Sequence, residues 1–111
     1  MEQLNRIEIR GIIGSVYVKD FANAKVANFS VATEHCYTAQ DGCAVIETTW
    51  HRVVAWEGNP IKDLSQLKKG SGVHVIGRLR MQKYMGSDGN EKSTYEILAS
   101  KVEIISNLTI Q

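Results

Sequence analysis

The sequence predicts an all-β fold, a small Greek-key barrel of five strands. Three observations predict it. Apolar and polar residues alternate with period two along five separate stretches. Turn-forming clusters, Asp41-Gly42 and Gly86-Ser87-Asp88-Gly89-Asn90, separate two pairs of those stretches. A single stretch carries helical spacing. With 111 residues there is room for one domain, expected to span 1–111.

The first stretch has Ile7 and Ile9 at odd positions, then Val16 and Val18 at even ones. The parity changes across Gly11 and Gly14, which predicts a bulge or sharp bend of the kind that closes a coiled barrel. The second stretch sets Ala27, Phe29 and Val31 against Asn28, Ser30 and Ala32. The third covers 47–56. The fourth alternates cleanly, with Val73, Val75, Gly77, Leu79 and Met81 expected inside and His74, Arg78, Arg80 and Gln82 outside. The fifth, 93–105, puts Tyr95, Ile97 and Ala99 on one face and Leu98, Val102 and Ile104 on the other. Strict alternation makes that strand half-buried on both sides.

One short helix is expected between the third and fourth strands. Pro60 suits a first helical position, Ile61, Leu64 and Leu67 recur every third residue, and Lys68-Lys69-Gly70 closes the stretch. Five strands with a helix at that point match the OB-fold. An SH3-like barrel is the rival, and it rarely carries a helix there.

Composition narrows the function. Thirteen Lys/Arg against 12 Asp/Glu leave a net charge of +1, which excludes a polybasic tail or an acidic disordered region. Segregation of cations onto one face stays open. Apolar runs are short, as in Val53-Val54-Ala55-Trp56, so no bilayer-spanning segment is expected. The stretch Met1-Glu2-Gln3-Leu4-Asn5-Arg6 lacks the apolar centre of a secretory signal, which points to the cytoplasm. Cys36 and Cys43 read as reduced thiols, with a bridge between them the lesser alternative.

The chemistry centres on Thr48-Thr49-Trp50-His51-Arg52-Val53-Val54-Ala55-Trp56. Alternation puts Trp50, Arg52 and Trp56 on one face and Val53 and Ala55 on the core face. A core position for both indoles is the plain alternative, but an unpaired buried Arg52 would be very costly. On the fourth strand, Arg78, Arg80, Gln82 and Tyr84 project outward. Alone they would be an ordinary solvated face. Beside Trp50, Arg52 and Trp56 they form rings interleaved with cations, the equipment for single-stranded nucleic acid. Each stacked base is worth about 1–3 kcal/mol and the cations follow the phosphates. Such a platform does not by itself separate DNA from RNA.

Catalysis has little support. His35, His51 and His74 lack metal-ligand spacing with Cys36 or Cys43. Adjacent His35 and Cys36 on a strand point apart, so they make no nucleophile–base pair. Gly11-Ile12-Ile13-Gly14 and Gly70-Ser71-Gly72 are too short to cradle phosphates. No enzyme, metal or cofactor is expected.

From about Asn5 to Ile105 the chain resembles the bacterial single-stranded DNA-binding protein family. The resemblance is strongest in Val26-Ala27-Asn28-Phe29-Ser30-Val31-Ala32-Thr33, in the stretch from Thr49 to Trp56, and in Lys68-Lys69-Gly70-Ser71-Gly72-Val73-His74-Val75-Ile76-Gly77-Arg78-Leu79-Arg80. It implies single-stranded DNA binding without strong sequence preference, by a homotetramer of OB-folds. It implies stacking by Tyr37, Trp50, Trp56 and Tyr84, and phosphate contacts from Arg6, Arg52, Lys69, Arg80 and Lys83. Parity adds Arg78. His51 matches a subunit-contact position.

Two features depart from the family pattern. The chain stops at Asn107-Leu108-Thr109-Ile110-Gln111 without a flexible linker or acidic tip, so partner recruitment by that route is not expected. After Gly14, Ser15-Val16-Tyr17-Val18-Lys19-Asp20 replaces the usual polar, proline-containing loop. A tail-less paralogue from a plasmid, phage or transposon fits both. A dimeric, primosomal-type interaction protein of the same family is the alternative reading.

Overall fold

A strand of 15 residues spans about 50 Å, and this chain makes three of them. The computed structural model describes residues 1–58 and 64–105. Its strands are β1 (Ile7–Phe21), β2 (Ala24–Thr38), β3 (Ala44–Trp56), β4 (Gly72–Met85) and β5 (Glu91–Ile105). They form a closed barrel in the order β1-β2-β3-β5-β4, with β4 returning to β1. Every neighbouring pair is antiparallel except β3 and β5, which meet in parallel through Val53↔Ile97 and Val54↔Leu98. The strands are longer than the barrel wall. The β2–β3 and β4–β5 hairpins therefore run on as arms with exposed residues on both faces.

Two bulges let long strands serve one core. In β1 the pairing steps from Ile13↔Val31 to Ser15↔Ser30, leaving Gly14 as the extra residue. Ile13 and Val16 consequently both face inward, as the change of parity predicts. In β5 the pairing steps from Gly77↔Ala99 to Ile76↔Lys101, so Ser100 is extra, and its hydroxyl donates to the Ile76 carbonyl at 3.1 Å. Ile97 and Ala99 thus share the core face with Val102 and Ile104. The expectation that these lie on opposite faces is corrected. Strict alternation fails wherever a bulge inserts one residue.

The interior is built from Ile13, Ala27, Phe29, Val31, Val53, Ala55, Val73, Val75 and Ile97. Leu64 and Leu67 also belong to this core. The helix expected there starts at Pro60, and 59–63 lie outside the described residues. From Leu64 to Gly70 the chain is built of turns, and no described residue is helical. The reason is local. A single turn, closed by Leu67 N–H donating to the Leu64 carbonyl at 3.3 Å, already inserts both leucines. Gly70, at φ +90°, then redirects the chain, and its N–H donates to the Ile13 carbonyl at 2.8 Å. No described helix is long and apolar enough to cross a membrane.

Along β4 the buried alternation expected through Met81 ends at Gly77. Val73, Val75 and Gly77 are buried, but Leu79 and Met81 are 40% and 47% exposed. They keep the inward parity, paired with Ile97 and Tyr95, yet the arm has left the barrel there and little lies beneath them.

Candidate nucleic-acid interface

The register across β1, β2 and β3 fixes which side chains share the outer face. Successive rows are Ile12–Ala32–Trp50, Ser15–Ser30–Arg52, Tyr17–Asn28–Val54 and Lys19–Val26–Trp56. Trp50, Arg52 and Trp56 therefore stand together outside the barrel, with Val53 and Ala55 within it. Both indoles are open to solvent, Trp50 at 61% and Trp56 at 46% exposure. No carboxylate among the described residues pairs with Arg52. Trp50 borders a groove of about 460 Å3 with Tyr17, Asn28, Ser30 and Arg52. A second groove runs from Trp50 past Ile12 and Thr48 to Arg10.

The seat of Trp50 depends on the bulge. At Gly14 the indole crosses bare backbone, and a Cβ there would come within 2.8 Å of Trp50 Cη2. His51 faces the other way, half-buried, and shares a 2.8 Å hydrogen bond with the Thr33 hydroxyl.

Other expected site residues are dispersed. Tyr37 lies on the β2–β3 arm, paired with Val45, on the face opposite Trp50. Its ring stacks with His35, with centroids 6.1 Å apart. Tyr84 and Lys83 are exposed on the β4–β5 arm, on its two different faces. Lys69 is exposed in the turn before β4. Arg6 and Arg78 border one groove beside Gly77 and Leu98. Arg6 is placed there by Asn5, whose side-chain amide donates to the Leu79 carbonyl at 2.8 Å and accepts from its N–H at 2.9 Å.

Two of the expected cations are paired: Arg6 with exposed Glu8 at 3.8 Å, and Arg80 with a buried acid. The Arg80 Nε and Nη2 donate to Glu96 Oε2 at 3.2 and 2.5 Å, and Gln82 donates to the same oxygen at 3.0 Å. Glu96 is only 7% exposed. A buried carboxylate needs such partners. The Arg80 charge is thus already balanced within the protein. Alternation places Arg80 outward correctly, but cannot reveal an acid on the neighbouring strand.

Tyr17, Lys19 and Phe21 were not among the expected site residues, although they occupy the outer face of β1. The Phe21 and Trp56 rings stack with centroids 5.8 Å apart at 24°. Their signal was the odd-numbered polar and aromatic alternation from Ser15 to Phe21, which begins in the segment 15–20 that departs from the family pattern.

A closed five-stranded barrel with this strand order defines an OB-fold protein, and its outer face presents open rings beside cations. Residues 4–105 match the model of the single-strand binding protein family, and the chain belongs to that family. The single-stranded DNA-binding protein of Neisseria meningitidis serogroup B is 33% identical over 104 residues, covering 92% of this chain and 60% of the relative. Single-stranded DNA-binding protein 1 of Xylella fastidiosa is 32% identical over 110 residues, covering 95% and 79%. This chain therefore spans about three-fifths of the length of the Neisseria relative. A Plasmodium falciparum SSB solved in complex with single-stranded DNA superposes with a TM-score of 0.83 at 27% identity, covering 96% of this chain and 98% of the other. A deletion mutant of the Thermus aquaticus single-stranded DNA-binding protein, at 20% identity and TM-score 0.78, shares the fold.

Proposed function

We propose that this protein binds single-stranded DNA without strong sequence preference and shields it during replication, recombination or repair. The observation that carries the reading is the shared open face of Trp50, Arg52 and Trp56. Exposed indoles beside a guanidinium offer stacking and phosphate contact to a single strand, whereas a duplex hides its base faces. The Plasmodium neighbour, solved with single-stranded DNA, supports the same ligand.

In this reading Tyr37, Trp50, Trp56 and Tyr84 stack bases. Arg6, Arg52, Lys69, Arg78 and Lys83 meet phosphates, and Arg80 contributes less because Glu96 balances it. The protein is a binding module rather than an enzyme and works in the cytoplasm on the nucleoid. Copies assemble as the homotetramer of the family, with His51 near a subunit contact. Light scattering after gel filtration tests the assembly, and a dimer would overturn it.

Titration with oligo-dT at two salt concentrations, followed by tryptophan fluorescence, tests the function. Quenching at low salt that weakens as salt rises is expected. Absence of any salt-dependent complex would refute it.

A further inference from the structure

Where β4 runs between β1 and β5, His74 stands at the middle of a row of charged side chains that crosses all three strands. Its Nε2 lies 2.6 Å from Glu8 Oε2 on β1, and its Nδ1 lies 3.3 Å from Glu103 Oε1 on β5. Each carboxylate has a second, looser partner, Arg6 at 3.8 Å from Glu8 and Lys101 at 3.8 Å from Glu103. Arg10, the register partner of His74 on β1, brings a further cation beside it. Its same-face neighbours on β4, Gly72 and Ile76, carry no charge. The His74 side chain is 16% exposed, against 50% and 55% for the two carboxylates. The ring is therefore the member of these pairs with least access to water.

A neutral imidazole has one N–H and one lone pair, so it donates to one carboxylate and turns a lone pair towards the other. The imidazolium donates to both. The structure assigns to His74 the role of a proton-dependent clasp: the imidazolium ties β1 to β5 across β4, and loss of one proton releases the β5 side. The order follows from the distances. The shorter bond, Nε2 to Glu8, keeps its proton, and the longer contact, Nδ1 to Glu103, gives its proton up. Glu103 then has Lys101 to turn to. Arg10 works against the added charge, while two carboxylates in hydrogen-bond contact with the ring favour it. Hydrogen bonding to His74 also holds the Glu8 carboxyl below its ordinary value of 4.5, so the anion that grips the ring persists in weakly acidic solution. Only the folded chain brings these groups together. The stabilisation is therefore present where the ring is protonated and is lost as pH rises.

The test compares the full wild-type chain with Glu103→Gln. A glutamine there offers an N–H to the bare Nδ1 of a neutral ring, so the contact no longer needs the second proton. Between about pH 6 and pH 8.5, the range around the histidine value, urea unfolding should show wild type losing ground to the variant. The loss expected in its folded-to-unfolded ratio is about two- to fivefold, the range for exposed ion pairs. His35 and His51 are present in both proteins and cancel in the comparison. Nitrogen-15 NMR of wild type should show Nδ1 of His74 as the nitrogen that gives up its proton, and Glu103→Gln should make it do so at lower pH. A ratio between the two proteins that stays level across that range would overturn the clasp. So would a His74 ring that titrates alike in both, or one that loses its proton from Nε2 in wild type.

Discussion

The indole of Trp50 lies on the bare backbone of Gly14, in the one place where β1 carries an extra residue. The bulge turns the strand and removes a side chain at the same point, which makes room for the far edge of the ring while Trp50 stays 61% exposed. Gly14→Ala should therefore act on the ring more than on the fold. The added methyl meets the far edge of an indole that can move, so the stability cost should be about 1 kcal/mol, the low end for overpacking. Oligo-dT affinity should fall several-fold and the tryptophan emission should shift. Unchanged emission and affinity would contradict this seat for Trp50.

Gly77→Ala should behave in the opposite way. A Cβ there would meet the Ala99 Cα at 2.9 Å and the Leu98 carbonyl oxygen closer still. Backbone cannot swing aside as an indole can. Urea unfolding should show a loss of about 3 kcal/mol or more, with the remaining folded protein binding normally.

Arg80 and Arg52 should separate stability from binding. Arg80→Ala strips the main partner from buried Glu96, and should cost about 1–3 kcal/mol in thermal or chemical unfolding. Arg52→Ala should leave stability within about 0.5 kcal/mol while lowering the salt slope of oligo-dT binding by about 0.7. An Arg80→Ala protein of normal stability would mean that Gln82 alone satisfies Glu96.

Glu8 should make its contribution disappear in acid. Hydrogen bonding to His74, whose Nε2 lies 2.6 Å away, holds the Glu8 carboxyl below its ordinary value of 4.5, helped by the charges of His74, Arg6 and Arg10. A lowered folded pKa stabilises the fold above the unfolded value, and that gain is lost as pH falls through the folded one. The stability difference between wild type and Glu8→Gln should shrink as pH falls below 4.5. Urea unfolding between pH 6 and 3 checks this, and a gap that persists at pH 3 would refute it.

Deleting Ser100 should be far worse than changing it. Removing the extra residue of the bulge moves either Ile97 and Ala99 or Val102 and Ile104 to the wrong face. Circular dichroism should show a largely unfolded chain, whereas Ser100→Ala should fold and lose only the hydrogen bond to Ile76.

Period and punctuation in the sequence determined the all-β class, the five strands, a bulge or bend across Gly11 and Gly14, and the outward face of Trp50, Arg52 and Trp56; the register with β2 put the bulge at Gly14. These follow from local geometry, because neighbouring side chains on a strand must alternate. Only tertiary structure decided the rest. Ser100 carries no glycine-like mark, and its extra place exists only relative to β4. Leu64 and Leu67 look helical by spacing, yet one turn suffices once the barrel end is there to receive them. Arg80 meets Glu96, and Phe21 meets Trp56, through pairings between strands that no single strand's alternation contains.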